Sequence, residues 1–132
     1  MKKILIADDK ASSRELLRTL LEHAGYEIWE ATDGLEAVEV ARSILPDLIL
    51  LDINMPRLDG YGAVSEMRRD ERLKNVPIVA LTASAMHTDR DRVLKAGFTA
   101  YITKPVKLGV LREELARLLS AKDHSWQDTL HS

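Results

Sequence analysis

Five polar side chains follow short apolar runs at separate points of the chain. The acidic pair Asp8-Asp9 follows the first run, Asp52 follows a later one, and Thr82 and Lys104 come after two more. If these runs are parallel strands, their carboxyl ends meet at one edge of a sheet, which is where ligands bind in open α/β folds. We therefore expect three carboxylates, one hydroxyl and one ammonium to converge there.

The expected cluster of carboxylates indicates a bound divalent cation. Clustered carboxylates repel one another and are costly to desolvate unless a cation neutralises them. Mg²⁺ suits a site with few oxygen ligands because it keeps several waters and often joins carboxylate to phosphate. Lys104 then offers a positive charge to a phosphoryl oxygen, and Thr82 offers a hydroxyl donor. The residue set is typical of phosphoryl transfer to an aspartate.

Alternating strand-like and helix-like segments position these residues. The strand candidates are five short apolar runs, at residues 4–7, 28–31, 48–51, 78–81 and 100–102. Strands that alternate with amphipathic segments predict an α/β fold in which crossover helices cover a parallel sheet. The first, third and fourth runs are continuously apolar, as expected for inner strands that are buried on both faces.

Five amphipathic segments predict the helices. The first opens with the capping-box pattern Ser12-x-x-Glu15 and closes at Gly25, and the second has Asp33 as its cap and Pro46 as its stop. The other three cover residues 60–69, 88–96 and 108–120. Residues 121–132 are polar and lack helical periodicity, so we expect a flexible tail after a single domain of residues 1–120.

The composition excludes several classes of protein. A length of 132 residues predicts one domain, and a net charge of −2 gives no reason to expect nucleic acid as a partner. The absence of cysteine excludes disulfides, thiolate metal sites and cysteine nucleophiles, and it suits a reducing cytoplasm. Because no apolar run approaches the roughly 18 to 20 residues of a membrane span, we expect a soluble, cytoplasmic protein with no membrane partner.

Five motifs, taken together, resemble the receiver domain of two-component response regulators. They are Asp8-Asp9, Asp52-Ile53-Asn54-Met55-Pro56, Asp59-Gly60, Thr82-Ala83 and Tyr101-x-x-Lys104-Pro105. The resemblance covers residues 2–120, nearly the whole chain. It implies a doubly wound, flavodoxin-like or CheY-like fold, with five parallel strands in the order 2-1-3-4-5 and five helices.

The resemblance also implies a role for each residue of the site. Asp52 would accept a phosphoryl group from a histidine kinase or a histidine phosphotransfer protein. Asp9, Asp52 and the main-chain carbonyl of Asn54 would bind Mg²⁺ directly, and Asp8 would bind it through a water. Lys104 would pair with a phosphoryl oxygen.

A conformational switch is implied as well. Thr82 would move toward the phosphoryl group, and Tyr101 would rotate inward in response. The output surface would be the fourth helix, fifth strand and fifth helix, roughly residues 88–119, and it would bind a downstream protein. Asn54 and Ser84 would tune hydrolysis of the acyl phosphate. Such a protein is a signalling switch that assists its own phosphorylation and dephosphorylation, and not an enzyme.

The leading interpretation is a stand-alone receiver, because the segment after the fifth helix is too short to form an output domain. Three alternatives remain beside it. A Mg²⁺-dependent phosphohydrolase would use the same residue types, but Asn54 stands where its D-x-D motif has the second acid. An interaction module that has lost phosphorylation is disfavoured by the intact acidic set. A receiver excised from a hybrid kinase is the third, and the start at Met1-Lys2-Lys3 favours a free-standing protein over it.

Overall fold

Five short apolar segments form one parallel sheet. The structure, a computed structural model, describes residues 1–83 and 87–131, and the side chains of residues 87–89 and 121–131 lie outside that description. The strands are β1 (Lys3–Ala7), β2 (Glu27–Ala31), β3 (Leu48–Asp52), β4 (Ile78–Thr82) and β5 (Ala100–Thr103). Their order is β2-β1-β3-β4-β5, and all pairs are parallel. The predicted doubly wound α/β fold is confirmed.

Helices connect consecutive strands and cover both faces of the sheet. They are α1 (Ala11–His23), α2 (Gly34–Ile44), α3 (Gly60–Arg68), α4 (His87–Ala96) and α5 (Leu108–His131), with a 3₁₀ helix at Glu71–Leu73 before β4. Helices α2, α3 and α4 pack on one face, and α1 and α5 pack on the other. Within the described part of the chain, none of these helices combines the length and apolar character that crossing a bilayer requires.

The inner strands are buried on both faces. In β1, Leu5 enters the core beneath α2, α3 and α4, while Ile4 and Ile6 enter the core beneath α1 and α5. Each fully buried side chain of this size stabilises the fold by about 1.5–3 kcal/mol. Every residue of β3 and β4 is buried, including the terminal Asp52 and Thr82. The apolar strands thus end in two polar side chains at the same edge.

The start of the first helix differs from the prediction. α1 begins at Ala11, and its N-cap Lys10 makes no side-chain capping hydrogen bond. The predicted capping box is therefore wrong, because Ser12 already lies within the first turn. The amide of Lys10 instead donates to Oδ1 of Asp8 at 2.9 Å, so Asp8 orders the turn into α1.

The start of α2 and the end of α5 test two further predictions of helix boundaries. The cap of α2 is confirmed, since Oδ1 of Asp33 accepts a hydrogen bond from the amide of Glu36 at 2.9 Å. α5 continues past the predicted end at Ser120 as far as His131. No glycine or proline follows Ser120, so no residue there breaks the helix. The backbone of residues 121–131 is helical, and its flexibility stays a prediction.

The strand order reverses between β1 and β3. The chain passes from β1 to β2 on one side and continues through β3, β4 and β5 on the other. The loops after β1 and β3 therefore diverge and leave a crevice at the carboxyl edge of the sheet. Asp8 and Asp9 follow β1, and Asp52 ends β3, so the fold brings three acidic residues to this crevice.

Leu48 allows a test of the core away from the polar edge. It is fully buried at the start of β3, so Leu48→Ala should lower the free energy of unfolding by about 2–5 kcal/mol through lost burial and a residual cavity. Leu94 on α4 is 42% exposed, and Leu94→Ala should change that free energy by less than about 0.5 kcal/mol. Urea denaturation measures both, and equal losses in the two variants would contradict the described core.

Candidate functional site

The three predicted carboxylates meet in the crevice. One carboxylate oxygen from each of Asp8, Asp9 and Asp52 lies within 4.8 Å of the other two. Asp8 is completely buried and Asp52 is 5% exposed, whereas Asp9 faces solvent. The cluster is therefore closed on its inner side and open on the side of Asp9.

Lys104 brings a positive charge into the cluster. Its Nζ donates to Oδ2 of Asp52 at 2.8 Å and to Oδ2 of Asp8 at 3.0 Å. Its amide donates to the carbonyl of Thr82 at 2.7 Å, and its peptide bond to Pro105 is cis. Burial acts to lower the pKa of Lys104, but the hydrogen bonds to two carboxylates outweigh burial and raise that pKa overall. The side chain is therefore an ammonium over the physiological range.

Asp52 is held through both of its carboxylate oxygens. Oδ2 accepts from Lys104, and Oδ1 accepts from the amide of Asn54 at 3.0 Å. Burial raises the pKa of Asp52 and the charge of Asp8 adds to that effect, although the hydrogen bonds from Lys104 and Asn54 oppose it. Because the pKa of Asp52 is raised overall, the folded chain is less stable when Asp52 is ionised than when it is protonated.

The donor set fits a small divalent cation. The carboxylates of Asp8, Asp9 and Asp52 with the ammonium of Lys104 carry three negative charges and one positive charge, which leaves a net charge of −2. The side-chain ligands in this cluster are all oxygen atoms, and oxygen ligands suit Mg²⁺ better than they suit softer metals. Asn54, whose carbonyl is the fourth predicted ligand, is anchored beside the cluster by its amide.

The two predicted switch residues lie on neighbouring strands. Thr82 ends β4 and is buried, and the strand register pairs it with Thr103 of β5. Tyr101 is half-buried two residues earlier on β5, and it packs against the core beneath α2, α3 and α4. Since side chains two residues apart share a face of a strand, Thr82 and Tyr101 lie on the same face of the sheet. Ser84 lies outside the described residues.

Two arginines hold the loops around the site through contacts that were not predicted from the sequence. Arg57 donates through Nε and Nη2 to Oδ2 of Asp33, at 3.0 and 2.7 Å. Arg14 on α1 donates to the carbonyl of Asp8 at 2.8 Å. Neither arginine belongs to a motif, and Asp33 shows in the sequence only as a helix cap. No sequence pattern could have identified these pairings.

Comparison with known proteins decides the family. The family model described as "Response regulator receiver domain" matches residues 4–116. The chain belongs to the response regulator receiver family. The resemblance carried by the five motifs is thereby confirmed, and the chain holds a receiver domain, the signalling switch of response regulators.

Two curated receiver relatives show the extent of the match. The polar-differentiation response regulator DivK of Brucella ovis is 39% identical over 107 residues, which cover 81% of this chain and 87% of that protein. The sensor histidine kinase CheAY of Helicobacter pylori is 42% identical over 104 residues, which cover 77% of this chain but 13% of that protein. Receiver sequences like this one therefore occur both in small regulators and within longer kinases.

Solved receiver structures agree with the fold. The chemotaxis protein CheY4 of Vibrio cholerae superposes with a TM-score of 0.85 at 33% identity, over 89% of this chain and 98% of that one. The receiver domain of the sensor histidine kinase PA1611 from Pseudomonas aeruginosa superposes with a TM-score of 0.84 at 37% identity, over 90% of this chain and 98% of that one. That second structure has a magnesium ion coordinated in its active site cleft.

The raised pKa of Asp52 predicts that Asp52→Asn stabilises the receiver domain. In Mg²⁺-free buffer at pH 7, the free energy of unfolding should rise by about 0.5–2 kcal/mol, the usual size of a single stabilising substitution. Because the folded pKa lies above the unfolded one, the wild type loses stability as the pH rises through the folded pKa. The two proteins should therefore converge below about pH 3.9, the ordinary pKa of an aspartate.

Urea denaturation between pH 3 and pH 8 measures this difference. A variant that is less stable than the wild type at pH 7, or a difference that does not depend on pH, would contradict the assigned cause.

Proposed function

We propose that this receiver domain accepts a phosphoryl group on Asp52, from a histidine kinase or a histidine phosphotransfer protein, in a Mg²⁺-dependent reaction. The proposal rests chiefly on the ammonium of Lys104, which lies 2.8 Å from Asp52 and 3.0 Å from Asp8 within the acidic cluster. A carboxylate that served the fold alone would gain no stability from burial beside two like charges. The arrangement instead suits a site that receives a cation and an anionic group.

The proposed Mg²⁺ ligands come from this chain alone. Asp9, Asp52 and the main-chain carbonyl of Asn54 would bind the ion directly, and Asp8 would bind it through a water. Bound Mg²⁺ neutralises the carboxylates and offers positive charge to the transferring phosphoryl group. The magnesium ion in the cleft of the PA1611 receiver supports the same use of the cluster here.

Asp52 is the proposed phosphoacceptor. One of its carboxylate oxygens would attack the phosphorus of a phosphohistidine, so an O–P bond forms while the P–N bond breaks. The imidazole nitrogen of the donor keeps the electron pair of the broken bond. The amide of Asn54 and the ammonium of Lys104 already hold the carboxylate in one orientation, which lowers the entropic part of the barrier.

Lys104 and Thr82 would act on the phosphoryl group after the transfer. The new group adds nearly two negative charges and three acceptor oxygens beside Lys104, and the ammonium would pair with one of them. The hydroxyl of Thr82 would donate to another oxygen. Hydrolysis would later cleave the O–P bond with water and release inorganic phosphate, at a rate tuned by Asn54 and Ser84.

The proposed output surface consists of α4, β5 and α5. A groove of about 550 Å³ on this side is lined by residues that include Tyr101, Lys104 and Val110. Lys104 thus borders both the acidic cluster and this groove. A movement of Lys104 at the cluster would therefore change the shape of the groove directly. Val110 on α5 is 44% exposed and lines this groove. The net charge of −2 favours a protein partner over nucleic acid.

The proposed partner is the histidine kinase or histidine phosphotransfer protein that supplies the phosphoryl group. A relative that is named a sensor histidine kinase contains a segment like this chain, which supports a kinase as the source of the phosphoryl group. We place the reaction in the cytoplasm, because a chain without cysteine suits a reducing compartment. The domain limits of residues 1–120, with 121–132 as a flexible extension, belong to the same proposal.

Asp52 should be the residue that is labelled by a small phosphodonor. Incubation with acetyl phosphate and Mg²⁺ should add the mass of one phosphoryl group to the intact chain, and chelation of Mg²⁺ should prevent the addition. Asp52→Asn should abolish the label, whereas Asp59→Asn, at the N-cap of α3, should keep it. Labelling of Asp52→Asn at the wild-type level would refute the proposal.

Thr82→Ala should separate phosphorylation from the switch. The variant keeps Asp52, Lys104 and the acidic residues, so it should still accept the phosphoryl group. Without the hydroxyl it should show a smaller change in the environment of Tyr101, because a ligand shifts a conformational equilibrium only through contacts that differ between the states. Ring chemical shifts of Tyr101, with and without a beryllofluoride phosphate mimic, measure the response. An undiminished response would show that the signal takes another route.

A further inference from the structure

The loop between β3 and α3 contains a backbone conformation that arginine rarely adopts. Arg57 has a φ of 65°, and the amide of Leu58 donates to the carbonyl of Pro56 at 2.7 Å, which closes a three-residue turn around Arg57. A turn with positive φ at its centre is uncommon and strained for a residue that has a side chain. Such residues persist where their surroundings hold them, and they concentrate at functional sites.

The side chain of Arg57 is held by the loop before α2. Nε and Nη2 both donate to Oδ2 of Asp33, while Oδ1 of Asp33 accepts from the amide of Glu36 in the first turn of α2. The Asp33 side chain is 10% exposed. Both of its oxygens are thus in use, and the ion pair joins the loop after β3 to the N-terminus of α2.

A second contact fixes the same two segments. A Cβ atom placed on Gly34 would lie 1.9 Å from the carbonyl oxygen of Leu58, so the first residue of α2 packs directly against the backbone that follows Arg57. Any residue other than glycine at position 34 would push the segments apart. We call the Arg57–Asp33 ion pair together with the Gly34–Leu58 contact the loop latch.

The loop latch lies a short distance along the chain from the acidic cluster. The amide of Asn54 donates to Asp52, and the amide of Gly60 donates to the carbonyl of Ile53 at 2.8 Å, so both ends of the loop are tied at its base. Arg57 lies between these ties, three residues after Asn54. The two ties hold the Ile53–Asn54 peptide unit and not the Asn54–Met55 unit that carries the Asn54 carbonyl. Releasing Arg57 would therefore loosen that second unit while leaving the base of the loop in place.

We propose that Arg57 is a positioning residue for the cation site: the loop latch holds the loop after β3 so that the carbonyl of Asn54 faces the acidic cluster, and it thereby sets the affinity for Mg²⁺. The inference rests on the proposed function for the role of the Asn54 carbonyl. Arg57 itself does not contact the cation. Its effect passes through the backbone of residues 54–57.

The sign of the effect separates this proposal from simple electrostatics. Removing a positive charge near an acidic site would, through charge alone, tighten the binding of a cation. Release of an oriented ligand has the opposite effect. In Arg57→Ala and Arg57→Gly, the dissociation constant for Mg²⁺ should rise by about tenfold, the lower end of what loss of ligand-orienting groups produces. Arg57→Gly also accommodates the positive φ, so backbone strain cannot explain its result.

The test is a Mg²⁺ titration of the unphosphorylated full chain, followed by amide chemical shifts of the loop. Asp33→Asn keeps an oxygen for the α2 cap but loses the charge that binds Arg57, and it should also weaken Mg²⁺ binding. Arg72→Ala is the matched control, because Arg72 donates through two nitrogens to Asp70 and is 57% exposed, against 61% for Arg57. That control should leave the dissociation constant unchanged.

The outcomes are distinguishable from those of the proposed function. Wild-type affinity in Arg57→Gly, or tighter binding, overturns the role of the loop latch even if Asp52 is labelled by acetyl phosphate. Weakened Mg²⁺ binding in the variants, with no labelling of the wild type, supports the loop latch and refutes phosphoryl acceptance. An equal loss of affinity in Arg72→Ala, or a wild-type chain that binds no Mg²⁺, also overturns the loop latch.

Discussion

Three carboxylates share a space in which one oxygen of each lies within 4.8 Å of the other two, and two of the three belong to buried residues. Their mutual repulsion and their desolvation both oppose folding, and the single ammonium of Lys104 leaves a net charge of −2. Burial raises the pKa of Asp52, and the charge of Asp8 adds to that effect. The rest of the structure has to hold these groups together, and a bound divalent cation would relieve their repulsion.

The buried strands of the sheet fix the positions of the charged residues at its edge. β3 and β4 are buried along their whole length, so the positions of their terminal residues follow from packing and not from the polar contacts at the edge. The loops add finer control, through the amide of Asn54 on Asp52 and the Arg57–Asp33 pair. A rigid core with adjustable loops is the arrangement that a charge-driven switch requires, because a change of charge can then move the loops without unfolding the strands.

Local sequence patterns could predict the strands and the acidic cluster because both depend on features visible in short segments. Continuous apolar runs mark the buried strands, and parallel strands bring their carboxyl ends together, so Asp8, Asp52 and Lys104 could be grouped before any coordinates. The start of α1 could not be predicted, because the amide of Lys10 bonds to Asp8 across the turn while Ser12 offers an equally good local cap. The Arg57–Asp33 pair spans 24 residues, and a pairing at that distance depends on the fold itself.

The acidic cluster lowers the stability of the cation-free fold, and under the proposed function a bound divalent cation would restore that stability. The most direct measurement is the thermal unfolding midpoint of the wild type and of Asp9→Asn over increasing Mg²⁺ concentration. Asp9 is exposed, so its substitution removes the charge of a proposed ligand without disturbing the core. The wild-type midpoint should rise with Mg²⁺, by an amount that corresponds to about 2.7 kcal/mol at a hundredfold excess over the dissociation constant, and the variant should respond much less. A wild-type midpoint that does not change with Mg²⁺, or that rises equally in Asp9→Asn, would contradict the claim.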